Sequence, residues 1–285
     1  MDFLVDWTPP ATDAGPITLY AAGNAANGTN TDTGDRIYTT SGEISPAATT
    51  TAPAITSGGV VNGASYATTI AGSSWITIVG TNLSASTRSW TAEELDGGNL
   101  PTALDGVSVT INNKPAYVQY ISPTQINAIA PADTAVGPVE VRVRTNDQAS
   151  APVTTTLQSV SPSFFTFDGK YLAATHADNT WLGKPALFPA APNATTPAKP
   201  GETIVLYGNG LGPTTPAIAA NKNHRCHCSR SGQPATVAFA GLVPPFARMY
   251  QVNVVVPDSL ASGDHAVVVQ TGGVASPANY YITVQ

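Results

Sequence analysis

Apolar residues along this chain alternate with polar ones over runs of four to eight positions, and hardly anywhere do they recur at helical spacing. Ile76 and Ile78, then Val107, Val109 and Ile111, then Val139, Val141 and Val143, then Val267 and Val269 are the clearest cases. Glycine, proline, asparagine or aspartate bounds the runs, so the pattern predicts short, half-buried strands joined by turns. Phe3, Val5 and Trp7 alternate as well, with Pro9-Pro10 closing them, and read as a strand already in progress.

The strands come in a repeated order. Gly80-Thr81-Asn82-Leu83 recurs as Gly208-Asn209-Gly210-Leu211, each time after an apolar alternating run. Lys114-Pro115-Ala116-Tyr117-Val118 is matched by Gln233-Pro234-Ala235-Thr236-Val237, and Ile126-Asn127-Ala128-Ile129-Ala130-Pro131 by Val252-Asn253-Val254-Val255-Val256-Pro257. The spacing onward to Gly137 and Gly263 is the same. Each copy therefore reads as strand, glycine turn, strand, Pro-Ala turn, strand, an Asn-marked strand ended by proline, and a final hairpin. That is close to the seven short strands of an immunoglobulin-like sandwich of roughly 100 residues. The expected fold is all-β: two tandem immunoglobulin-like β-sandwiches, residues 53–160 and 161–285, behind a short N-terminal β fragment. The fragment, residues 1–44, holds strands near 3–7, 17–20 and 36–40, too little to form a core alone. Residues 45–52, rich in Ala, Thr and Pro, read as a linker.

Composition narrows the function. Charged residues are 11% of the 285, against about 25% in an ordinary soluble domain, and the formal net charge is −6. No basic face is left to neutralise phosphates, which argues against nucleic acid as a partner. No apolar run approaches the roughly 20 residues that span a bilayer, so membrane insertion is not expected. The first residues lack the basic and apolar regions of a signal peptide. With a strand already under way there, the expectation is an extracellular or cell-surface protein whose export signal lies outside this chain.

Two stretches resemble known families. Val61-Asn62-Gly63-Ala64-Ser65-Tyr66, followed by Ile76-Thr77-Ile78-Val79-Gly80-Thr81-Asn82-Leu83, resembles the opening of the Solibacter-type uncharacterised C-terminal domain family, which is IPT/TIG-like and therefore immunoglobulin-like. The likeness runs over residues 55–285 and implies a modular place at the end of a larger secreted bacterial protein. Trp7-Thr8-Pro9-Pro10, with Gly15 to Ala26 and Gly34-Asp35-Arg36-Ile37-Tyr38, is similar to the tail of a Reeler-like (choice-of-anchor) domain. One run departs from the pattern: Asn221 to Arg230 stands where an apolar strand like Val107 to Ile111 belongs, which puts Cys226 and Cys228 at the places of Val107 and Val109. A shifted reading frame in the gene is an alternative account of this run.

Candidate chemistry is sparse. His224, Cys226, His227 and Cys228 are potential soft-metal ligands, but zinc sites use a second, distant ligand pair and none exists here; a strand or loop that merely contains them is the plainer reading. The run Gly208-Asn209-Gly210-Leu211-Gly212 has no helix after it to hold a phosphate and reads as a tight turn. Asn27 to Asp35 is rich in oxygen groups yet lacks calcium-loop spacing. The most enzyme-like cluster is His176 with Asp178, although Asp178-Asn179 reads more simply as a hairpin turn. Trp90 and Trp181 are candidates to stack on sugar rings, against a core or anchoring role for each.

No catalytic set and no cofactor is expected from these residues. The first functional reading is a non-catalytic extracellular immunoglobulin-like module, a spacer, adhesion or display element with no deep polar pocket. The alternatives are a carbohydrate-binding module and a hydrolase of esters or glycosides with its site in an inter-domain cleft. Polysaccharide or another cell-surface protein is the expected partner.

Overall fold

The computed structural model describes residue 8 and residues 15–29, 31, 33–44, 52–95, 99–213, 227–230, 233–242 and 247–285. The predicted strand at 3–7 and most of the 45–52 linker lie outside these. The chain forms two units, residues 1–50 and 51–285.

In the first unit, Ile17–Ala25 pairs antiparallel with Arg36–Ile44, from Ile17 opposite Ile44 to Ala25 opposite Arg36. The hairpin outruns the predicted strands by residues 21–25 and 41–44, mostly Ala, Gly, Ser, Asn and Glu, which pair through the backbone without an apolar alternation to announce them. Its turn is tied internally: Asp35 Oδ1 accepts the Asn27 N–H at 2.9 Å, and the Asn27 side chain accepts from Thr29 and donates to the Thr33 carbonyl.

The second unit is all strand and turn. Its first sandwich sets a sheet in the order Ala54–Asn62, Trp75–Thr81, Gln125–Ile129, Tyr117–Ile121, Arg88–Ser89 against one in the order Thr69–Ala71, Val153–Gln158, Gly137–Thr145, Val107–Ile111, Ala103–Leu104. The alternating positions meet between them: Ile76, Ile78, Val107, Val109, Ile111, Val139, Val141 and Val143 belong to one buried cluster. Ser108 and Thr110, between the inward residues, stay partly exposed, as a pleated strand with one dry face requires.

A second cluster is built around Phe164, Leu172, Ile204, Leu206, Val252, Val254, Val269, Tyr280 and Ile282. One of its sheets runs Thr195–Thr196, Trp181–Leu182, Ala174–His176, Thr203–Asn209, Tyr250–Val255, Thr236–Leu242; His227–Arg230 joins Val268–Thr271 in another. The same local devices occur around both cores. Strand register slips between Val118 and Tyr120 in one and between Val237 and Phe239 in the other. The Gln125 amide donates to Asn127 Oδ1 at 2.9 Å, and the Gln251 amide to Asn253 Oδ1 at 2.7 Å. Ser150 Oγ accepts the Val143 N–H, as Ser276 Oγ accepts that of Val269. The hydroxyls of Thr145 and Thr271 donate to the carbonyls of Leu83 and Leu211. The glycines three residues earlier are tightly covered: a Cβ on Gly80 would stand 2.2 Å from the Ala54 carbonyl oxygen and 2.9 Å from the Leu83 side chain, and one on Gly208 3.2 Å from the Leu211 side chain and 3.4 Å from the Ser163 carbonyl oxygen.

A buried polar seam joins the two sandwiches. Asn62, at the end of its strand and 0% exposed, donates to the Ser161 carbonyl at 2.8 Å, and its Oδ1 accepts from Ser163 Oγ and Asn209 Nδ2, each at 2.9 Å, as well as from the N–H groups of Ala64 and Ser65. Asn209, also 0% exposed, exchanges two 2.9 Å bonds with the Trp75 backbone, and the Trp75 indole donates to the Ala247 carbonyl. Every polar atom of both asparagine side chains is thus answered, as burial demands.

Asp133 gives the first sandwich a sensitivity to acid. Its carboxylate accepts from the Ala135 N–H, the Asn112 amide and Lys114 Nζ at 2.8–3.0 Å. The Ala135 N–H most of all, then Asn112 and Lys114, lower its pKa from 3.8 to about 2. A lowered folded-state value means that this stabilisation is complete above the unfolded value and is lost as the pH falls through the folded one. Asp133→Asn is therefore expected to flatten the pH dependence of urea midpoints between about pH 4 and pH 2. An unchanged slope in that window would count against the assignment.

Candidate functional site

The described surface carries one notable polar cleft, of about 590 Å³, and it is built from separate segments of the second sandwich. One wall is the turn after Ala174–His176. Asn179 closes that turn with a positive φ of 67°, a conformation asparagine tolerates better than most residues, and donates its N–H to the His176 carbonyl. Asp178 Oδ1 accepts from the Thr180 hydroxyl at 2.6 Å and from its N–H at 3.0 Å. These bonds, the hydroxyl's first, hold the Asp178 carboxyl below its usual range.

The opposite wall comes from residues 196–202. His176 Nδ1 bonds to Glu202 Oε1, and Nε2 lies 2.9 Å from Thr196 Oγ1 and 3.1 Å from the Thr196 carbonyl. Facing a carboxylate, Nδ1 donates, and Nε2 lies within hydrogen-bond reach of both the hydroxyl and the carbonyl of Thr196. Glu202 Oε2 is fixed in turn by the Lys199 N–H at 2.8 Å. Lys199 and Gln285 complete the polar lining, with Ala177 and Pro197 the apolar part.

His176 and Asp178 thus line one site, as their spacing suggests, but the partner of His176 is Glu202. Glu202 and Thr196 escape sequence reading because they lie 26 and 20 residues away and belong to no motif. The cleft lies apart from the junction of the sandwiches, which the seam of Asn62 and Asn209 occupies. It sits at the far end. Strand Thr203–Asn209 delivers Asn209 to the junction and begins beside Glu202, a run of roughly 20 Å.

The two tryptophans part company. Trp181 is 48% exposed and meets Phe167 edge-on, with ring centroids 5.2 Å apart, and Phe167 meets Phe188 in the same way at 5.1 Å. Trp90 is partly buried against the first core and leans on Trp75 at 6.1 Å. It packs on the first sandwich, where Trp75 meets it from a strand that is not its neighbour in the sheet.

His224 and Cys226 lie outside the described residues. His227 and Cys228 fall in strand His227–Arg230, where Cys228 stands opposite Val269 as Val109 stands opposite Val143. Among the described residues no three His, Cys, Asp or Glu side chains come together in a metal-binding group, and no helix is long and apolar enough to cross a membrane.

A comparison with family models finds a match in the first sandwich. Residues 60–167 match the IPT/TIG domain. An IPT/TIG domain is an immunoglobulin-like β-sandwich, and its match spans the first core and the segment carrying Ser161 and Ser163. The finer likenesses to the Solibacter-type and Reeler-like families are not part of that match. No curated protein matches the chain. Among solved structures, it is similar to the Bacteroides ovatus mixed-linkage glucan utilization locus protein SGBP-B in complex with a mixed-linkage heptasaccharide, at 8% identity over 95% of this chain and 60% of that one, TM-score 0.34. It is also similar to the gamma-CGTase of alkalophilic Bacillus clarkii, at 11% identity over 88% and 29%, TM-score 0.27, and to domains 4–9 of surface layer protein SbsC, at 9% identity over 87% and 33%, TM-score 0.26. The chain spans less than two thirds of the length of each of these three.

Proposed function

We propose that this chain is an extracellular immunoglobulin-like module of a larger secreted bacterial protein, serving as a spacer, adhesion or display element. In this reading residues 53–160 and 161–285 are two copies of one unit, and residues 1–44 are a separate β piece joined through 45–52. The observation that carries it is the seam between the sandwiches, where buried Asn62 and Asn209 bond to each other and to both sides of the joint. A joint filled by directional bonds holds one angle, which is what an element that positions a neighbour needs. The family match at residues 60–167 and the low charge content support the same reading.

Two measurements test it. Nitrogen-15 relaxation on the whole chain is expected to give residues of both sandwiches one common rotational correlation time, and an antibody against the chain is expected to label intact cells of its source. Independent tumbling would remove the spacer role; labelling only after permeabilisation would remove the extracellular one. Carbohydrate binding is the second reading, favoured by the exposure of Trp181 on a bracing pair of phenylalanines.

A further inference from the structure

We propose that the cleft around His176 and Glu202 is a binding site for a neutral oligosaccharide. The proposal rests on the carbohydrate-binding reading and gives it a place, which the tryptophans alone do not. The chemistry of the lining selects the ligand. Carboxylates from Asp178 and Glu202 share the cleft with the ammonium of Lys199, the hydroxyls of Thr180 and Thr196 and the amide of Gln285. A phosphate or other anion would meet two carboxylates in the same space, and an apolar ligand would strip water from all of these groups without replacing its bonds. A sugar hydroxyl both donates and accepts, so a ring bearing several of them can answer acceptors and donors mixed in this way. Its C–H face has Ala177 and Pro197 to rest on. The volume of about 590 Å³ falls inside the range of small-molecule sites, about 300–1,000 Å³.

The site is also set before a ligand arrives. His176 is held from both ring nitrogens, Glu202 by His176 and the Lys199 N–H, and Asp178 by two bonds from Thr180. Side chains fixed in this way lose little further freedom on binding, which is where weak polar sites usually forfeit affinity. The location suits an adhesive element, since the cleft is at the end of the second sandwich farthest from the seam.

The test is titration calorimetry of the whole chain with a panel of neutral hexa-saccharides, β-linked glucan, α-linked glucan, xylan and mannan, each up to about 10 mM. At least one is expected to bind, with affinity falling at least tenfold in Asp178→Ala and in Lys199→Ala, both at exposed positions where folding is not at stake. Glu140→Gln, on the first sandwich and exposed, is expected to leave binding unchanged. Binding that survives both cleft substitutions, or that Glu140→Gln abolishes, places the ligand elsewhere and overturns the proposal. So does the absence of binding to every glycan. If Trp181→Ala alone removes binding, the carbohydrate reading stands and the cleft assignment falls; if no variant matters because nothing binds, both fall together. Thermal unfolding of each variant, expected within a few degrees of the parent, separates loss of binding from loss of fold.

Discussion

Asn62→Ala is expected to cost about 3–5 kcal/mol in urea unfolding, a large share of the 5–15 kcal/mol that holds a typical domain. The side chain is completely buried and supplies partners to Ser161, Ser163, Asn209, Ala64 and Ser65. Truncation leaves several of those groups without a partner in a space closed to solvent, at about 1–3 kcal/mol for each that finds no substitute. Asn209→Ala is expected to be nearly as costly, since it unties the backbone of Trp75. Because the two amides bond directly, the double variant is expected to cost less than the sum of the singles by about 1 kcal/mol or more. A single-variant loss under about 1 kcal/mol would mean that water fills the gap and that the seam holds little.

Gly210→Ala is expected to be comparably damaging, at about 3–5 kcal/mol, from two sources that a second substitution separates. Gly210 has φ of +68°, where a side chain costs roughly 1–2 kcal/mol. An added Cβ would also stand 2.1 Å from the Ser161 carbonyl oxygen, a clash with backbone that cannot turn aside and costs about 1–3 kcal/mol or more. The matching residue of the first sandwich, Asn82, has φ of +54° and is exposed. Gly210→Asn removes most of the dihedral penalty and keeps the clash, so it is expected to remain destabilising, whereas Asn82→Gly is expected to be nearly neutral. Equal tolerance at both positions would show that Ser161 yields, and the tight fit at the joint would have to be given up.

Much of this architecture is legible in the chain because alternation and burial are the same fact seen twice. Val107, Val109 and Ile111 declare an inward face, and each is about 1% exposed. The Gly-x-x-Leu landmarks are legible as turns, but their glycines also answer distant backbone, that of Ala54 over Gly80 and of Ser163 over Gly208. What the sequence conceals is whatever depends on meeting a distant partner. Thr195–Thr196 and Arg88–Ser89 are too short for any period to show. Asn209 reads as one more turn residue until Trp75 and Asn62 are set beside it. Trp90 reads as either a stacking ring or an anchor, and its contact with Trp75 cannot be seen in the sequence. The cleft is hidden for the same reason: His176 and Glu202 stand 26 positions apart, and the stretch between them carries no trace that these two side chains meet.

The repeat places Thr81 where the second copy has Asn209, and Thr81 faces water. The two halves are consequently not interchangeable: each carries a different mate of the joint, as a plug differs from a socket. Reversing their order in one polypeptide would carry both amides away from the joint and put Thr81 where a grip was wanted. Anyone lengthening the array by adding copies would have to graft the Asn62 and Asn209 pair along with every new link.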